Sequence, residues 1–160
     1  MASPYGRSPQ RSLYTAPSDC LNYKLAVTSP QSERVRILLV EDSQDILFLM
    51  KMELEALGYA VSTARDGESG LEAAKRELPD LIVSDIKMPG MDGYELIARL
   101  RQIPELASTP CVALTGLDMD EDLDAGRVAR YNAHMSKPVD ATELSNLIQK
   151  LTGGRRSSKQ

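Results

Sequence analysis

Apolar residues come in short runs separated by longer stretches where they recur every three or four positions. Val35-Arg36-Ile37-Leu38-Leu39-Val40 is apolar at nearly every position near its end, as expected of a strand covered on both faces. From Gln44 to Leu57 the apolar positions Leu47, Met50, Leu54 and Leu57 fall at helical spacing, and Gly58 stops the pattern. Tyr59 to Ala64 alternates as a second strand, Asp66-Gly67 turns the chain, and a second helix carries Leu71, Ala74 and Leu78 on one side. Leu81 to Ser84 is a short buried strand with Asp85 at its end. Pro89, Gly90 and Gly93 then turn the chain before a third helix from Tyr94, with Leu96, Ile97 and Leu100. Pro110 opens a fourth strand, Cys111 to Leu114, ending at Thr115-Gly116. A fourth helix over 118–130 is a poor one, with Asp118, Asp120, Glu121 and Asp122 near its start and Gly126 costing about 1 kcal/mol against Ala. Ala133 to Ser136 is a fifth strand. Asp140 caps a last helix with Leu144, Leu147, Ile148 and Leu151, ended by Gly153-Gly154.

Strand and helix thus alternate five times, which predicts an α/β fold: a doubly wound, five-stranded parallel sheet with helices on both faces. Before Val35 the texture differs. Residues 1–34 are rich in Ser, Pro, Tyr and Arg without periodicity and read as a disordered N-terminal leader, either a plain solvated tail or a docking or phosphorylation segment. The domain proper is 35–152, followed by a basic C-terminal tail, 153–160.

Charge sharpens this division. The net charge of -4 over 160 residues hides a leader at +2 and a tail at +3, which leaves about -9 on the body. An acidic body argues against a nucleic-acid partner, because phosphate contacts need a basic face. No run approaches the roughly 20 apolar residues of a membrane span, and the start is not a secretory signal. Cys20 and Cys111 make no disulfide framework, so the compartment reads as reducing and the protein as cytoplasmic. With no Trp and one Phe, the core must be aliphatic. Phe48 lies off the first helix's stripe and is either a partly covered aromatic or a contact for a partner helix.

The candidate chemistry stands at the strand ends. Glu41-Asp42, Asp85, Thr115 and Lys137 each follow a strand and so fall on one edge of a parallel sheet, where ligands bind in such folds. Taken alone, Asp85 also fits a helix cap or turn. Three carboxylates together repel unless a cation is present, and oxygen ligands with spare water positions suit Mg²⁺. With a lysine and a hydroxyl added, the set is a phosphoryl-transfer toolkit, in which a carboxylate attacks in line while cations neutralise the phosphoryl oxygens.

Val40-Glu41-Asp42, the stretch Ser84-Asp85-Ile86-Lys87-Met88-Pro89-Gly90-Met91-Asp92-Gly93, Ala113-Leu114-Thr115-Gly116 and Ser136-Lys137-Pro138 together resemble the motifs of response-regulator receiver domains of two-component and phosphorelay signalling, the CheY-like superfamily. The resemblance covers about residues 35 to 152. It implies a flavodoxin-like strand order, 2-1-3-4-5. It implies Asp85 as phosphoacceptor, and Mg²⁺ held by Glu41, Asp42, Asp85 and the backbone carbonyl of Lys87. Thr115 and Lys137 would contact the phosphoryl group, and Lys137-Pro138 would be a cis peptide. His134 falls where the family usually has a rotating Tyr or Phe, and is expected to be a half-buried switch residue; relay histidine and plain strand residue are the competing readings. The implied partners are a histidine kinase or histidine phosphotransfer protein, and a downstream protein at the face of the fourth helix, fifth strand and fifth helix. That face departs from the family pattern at Gly126, Arg127 and Arg130.

The expectation is a single-domain regulator, a monomer or weak homodimer, with no activity beyond its own phosphotransfer and dephosphorylation. The alternatives are the receiver segment of a hybrid histidine kinase and an aspartyl-nucleophile phosphatase. The latter needs a second Asp two residues after the nucleophile, where this chain has Lys87.

Overall fold

Three strands of the computed structural model are buried almost end to end, which is why their sequences read as unbroken apolar runs. The structure describes residues 34–116, 127 and 130–156. In chain order the elements are β1 (Arg36–Val40), α1 (Gln44–Ala56), β2 (Ala60–Ala64), α2 (Gly67–Glu77), β3 (Leu81–Asp85), α3 (Gly93–Arg101), β4 (Cys111–Thr115), β5 (Ala133–Ser136) and α4 (Ala141–Arg156). The leader 1–33, most of the helix expected over 118–130 and the last four residues lie outside the described residues.

The five strands form one sheet in the order β2-β1-β3-β4-β5, and every neighbouring pair is parallel. Alternate residues serve opposite faces. Leu38, Val40, Ile82 and Ala113 pack under α2 and α3, against Leu71, Ala74, Leu96, Ile97 and Leu100. Ile37, Leu39, Val83, Val112 and Leu114 pack under α1 and α4, against Leu47, Met50, Leu54, Leu144 and Ile148. Each of the fully buried Leu and Ile side chains contributes about 1.5–3 kcal/mol by leaving water. No helix among the described residues is long and apolar enough to cross a membrane.

Aspartates start three of the helices. Asp66 Oδ1 accepts the Ser69 N–H at 2.7 Å, Asp92 Oδ1 the Glu95 N–H at 2.8 Å, and Asp140 Oδ1 the N–H groups of Thr142 and Glu143. Each satisfies donors that a helix leaves unpaired in its first turn.

Several expectations shift at element ends. Leu57 and Leu78 sit at helix C-caps and are exposed, because the chain leaves the helical path there and their side chains drop off the buried stripe. Leu78 takes a left-handed φ of 47°, and Arg36 donates to the carbonyls of Glu77 and Leu78, satisfying two groups that the end of α2 leaves open. Gly58 ends α1 with φ of 96°, but Gly153-Gly154 does not end the last helix, which continues to Arg156. Tyr59 precedes β2 and is buried, its hydroxyl 2.8 Å from Ser145 Oγ in α4. Phe48 is 66% exposed.

Hydrogen bonding to backbone N–H and Ser69 lowers the pKa of Asp66, so the ionised cap stabilises the fold above the unfolded-state pKa and is lost as pH falls through the folded one. Asp66→Ala is therefore expected to cost about 1 kcal/mol in urea denaturation at pH 7, and the difference from the parent should shrink in acid.

Candidate functional site

Parallel pairing places all the strand carboxyl ends on one edge, and register decides which side chains meet there. Val40 pairs with Ser84, so Glu41 comes level with Asp85; Thr115 pairs with Ser136, so Lys137 follows one step beyond. Glu41 and Asp85 are buried and Asp42 is exposed. One carboxylate oxygen from each of the three lies within 4.8 Å of the others.

Lys137 reaches into this cluster. Its Nζ is 2.9 Å from Asp85 Oδ2 and 2.9 Å from Glu41 Oε2. The other Glu41 oxygen accepts the Ser43 N–H at 3.1 Å. Burial raises the Glu41 pKa, with the Lys137 hydrogen bond opposing. At Lys137 burial works against the charge, but the bonds to Glu41 and Asp85 outweigh it and hold the ammonium above its ordinary range.

Three carboxylates against one ammonium leave two negative charges in a partly buried site. That imbalance, and an all-oxygen donor set with one member open to solvent, fit a divalent hard cation that keeps some of its waters. Glu41, Asp42 and Asp85 are the residues that could hold it.

The remaining sequence candidates are placed differently. Thr115 is buried at the end of β4, and its hydroxyl donates to the Met135 carbonyl at 3.3 Å, so here it is turned to β5 and not to Asp85. The Lys137 N–H donates to the Thr115 carbonyl at 2.7 Å, tying the two together. The Lys87 side chain is exposed, two residues past Asp85. The Lys137–Pro138 peptide is cis, as expected. His134 is exposed, not half-buried: β5 is an edge strand on which exposure alternates, and His134 falls on an open position opposite Ala113.

The turn after Asp85 is held from below. The Ser84 hydroxyl donates to the Asp85 carbonyl at 2.8 Å, the Ile86 N–H to Leu114 O at 3.3 Å, and the Gly93 N–H to Ile86 O at 2.8 Å. Met88 and Met91 fold inward as buried side chains.

A family model, response regulator receiver domain, matches residues 37–149. The chain belongs to this family. Relatives include an uncharacterized 14.6 kDa protein of Leptolyngbya boryana, 42% identical over 71% of this chain and 86% of that protein. PilH of Pseudomonas aeruginosa is 31% identical over 74% and 98%. Response regulator PleD of Caulobacter vibrioides is 38% identical, but the chain spans only 26% of its length. Among solved structures, the chemotaxis response regulator CheY4 of Vibrio cholerae superposes with a TM-score of 0.67 at 30% identity, covering 74% of this chain and 98% of that one. The receiver domain of a Pseudomonas aeruginosa sensor histidine kinase, with magnesium coordinated in its active site cleft, superposes at 0.70 and 30% identity, over 75% and 98%.

Two features of this receiver escaped the sequence reading. One is the approach of Lys137 to two carboxylates, since strand spacing places a lysine on the edge but not its head between Glu41 and Asp85. The other is Tyr131, a buried side chain whose hydroxyl donates to the Gly93 carbonyl at 2.6 Å. It stands just before the expected fifth strand, at a position that no apolar period in the sequence marks as buried.

Gly93 itself is required by space. A Cβ there would lie 2.5 Å from the Asp85 carbonyl oxygen and 2.7 Å from Ile86 Cα, both backbone atoms. Gly93→Ala is expected to destabilise by about 2 kcal/mol in denaturant titration, because backbone must move to make room.

Proposed function

We propose that this receiver is a phosphorylation-driven signalling switch. Asp85 accepts a phosphoryl group from the phosphohistidine of a histidine kinase or histidine phosphotransfer protein. The observation that carries the reading is the Lys137 ammonium held 2.9 Å from both Asp85 and Glu41, with Asp42 alongside. Among the described residues one ammonium faces these three acids, and Asp42 is the exposed member, so a donor approaches from that side.

In the transfer, an Asp85 carboxylate oxygen forms the new O–P bond as the N–P bond breaks, and the electron pair stays on the donor imidazole nitrogen, which then takes up a proton. Glu41, Asp42, Asp85 and the Lys87 backbone carbonyl are the Mg²⁺ ligands in this reading. When bound, the metal supplies positive charge that offsets the carboxylates and the phosphoryl oxygens. Lys137 exchanges its contact with the Asp85 carboxylate for a phosphoryl oxygen. Thr115 leaves the Met135 carbonyl and donates to another phosphoryl oxygen.

Phosphorylation adds about two negative charges and three acceptor oxygens. Because Lys137 and Thr115 flank β5, their movement shifts the balance between two packings of that strand. His134 is the switch residue on it, moving from an exposed starting position. The shifted face, made by the segment before β5, β5 and α4, is read by a downstream protein. Acyl phosphates hydrolyse, so the signal decays through the same site, and beyond that the domain catalyses nothing.

PilH, 98% of which this chain spans, supports a regulator of about receiver length, and the receiver of the sensor histidine kinase supports a segment of such a kinase as the second reading.

Intact-mass measurement after incubation with acetyl phosphate tests the reading. The expected result is a gain of one phosphoryl group that requires Mg²⁺ and is absent in Asp85→Asn. A folded parent protein that gains no mass would leave only a scaffold.

A further inference from the structure

The segment that leads into β5 is fastened to both ends of α3. At the far end, the Arg101 guanidinium donates to the carbonyls of Arg130 and Thr109 and to Asn132 Oδ1, at 3.1, 2.7 and 3.0 Å. Asn132 is itself fixed on β4, exchanging 2.8 Å hydrogen bonds with the backbone of Cys111. At the near end, the Tyr131 hydroxyl donates to the Gly93 carbonyl at 2.6 Å, joining positions 38 apart in the chain. Tyr131 is 7% exposed and belongs to the core that includes Ile86, Met88 and Ile97.

Gly93 transmits this contact. Its N–H closes the turn after Asp85 by donating to Ile86 O, and its carbonyl takes the phenol. A Cβ on Gly93 would meet the Asp85 carbonyl oxygen at 2.5 Å and the Tyr131 hydroxyl at 2.9 Å. The phenol and the backbone of Asp85 therefore both crowd the face of one glycine where a Cβ would stand. Burial pushes the Tyr131 hydroxyl well above the ordinary tyrosine range, with Ser84 beside it opposing, so it remains a donor at neutral pH. Lys137, just after β5, holds the Asp85 side chain, and Tyr131, just before β5, holds the Asp85 turn. The strand that carries His134 is thus tied to Asp85 at both ends.

We propose that Tyr131 is a positioning residue for phosphoryl transfer: its hydroxyl fixes the Asp85–Gly93 turn and couples it to β5. The inference rests on Asp85 being the phosphoacceptor. A reacting carboxylate tolerates little misplacement, since errors near 1 Å can cost on the order of a hundredfold in rate.

The test uses the full chain as parent, Tyr131→Phe and Tyr131→Leu. Phosphoryl gain and loss with acetyl phosphate and Mg²⁺ are followed by intact mass, the denaturation midpoint in urea, and Gly93 by amide hydrogen exchange without phosphate. Tyr131→Phe keeps the ring and is expected to lower the midpoint only slightly, by about what one lost hydrogen bond contributes. Its Gly93 amide should nevertheless exchange about fivefold faster, the factor that one lost hydrogen bond corresponds to, and its phosphoryl gain should slow by about threefold or more. Tyr131→Leu should show the same rate defect with a lower midpoint. If Tyr131→Phe gains and loses phosphate at the parent's rates with Gly93 equally protected, the hydroxyl positions nothing and the proposal is overturned. If the parent gains no phosphate, the functional reading fails instead. Gly93 exchange then decides alone whether the hydroxyl holds the turn, supporting that role if faster in Tyr131→Phe and overturning it if unchanged.

Discussion

One ammonium between two buried carboxylates organises the functional edge of this domain. Glu41 and Asp85 end up side by side because β1 and β3 are neighbours in parallel register, and neither is accessible enough for water to screen the other. Without a cation, burying both as anions would cost several kcal/mol. Lys137 is that cation, and it arrives from beyond β4, at the end of β5, so the electrostatics of the site require β1, β3, β4 and β5 to be in order. The pairing is incomplete by design of charge: Asp42 stays outside it, and the residual two negative charges leave the site disposed toward a divalent metal.

The β1–β3–β4 centre of this arrangement was legible in the residues because burial on both faces writes itself as continuous apolar runs, as in Leu81-Ile82-Val83 and Cys111-Val112-Ala113-Leu114. The strand-end residues followed from the same reading, since a parallel sheet gathers its carboxyl ends on one edge. What failed to show were features set by geometry at element ends. Leu57 and Leu78 continue a helical period in sequence but sit where the helix has already ended. Gly153-Gly154 looks like a stop, yet α4 runs through it, because a glycine only permits the left-handed turn and does not impose it. His134 stands in an apolar context and was expected to be half-buried, but the exposure of an edge-strand residue depends on what covers that edge, which local sequence does not encode. Tyr131 was missed for the complementary reason: it is buried by α3 and the Asp85 turn, elements dozens of residues away.

The distribution of burial also separates the strands that carry the acids from the strand that leads to Lys137. β1 and β3 have a hydrogen-bonded strand on each side and are buried nearly throughout, so Glu41 and Asp85 stand on the most firmly held part of the chain. β5 has a neighbour on one side only, is four residues long, and buries none of them fully. Segments with few buried contacts open at lower free energy than the core. In the proposed function a charge change at Asp85 would therefore meet resistance in β1 and β3 and yield in β5, through Lys137 and Thr115, the two site residues bonded to that strand or its extension. Carboxylates on buried strands and their counter-charge just past an edge strand give the proposed switch its asymmetry: the hydrogen bonds that position Lys137 for Asp85 also run to Thr115, beside β5, so in that reading β5 is the element that follows if Lys137 changes partners.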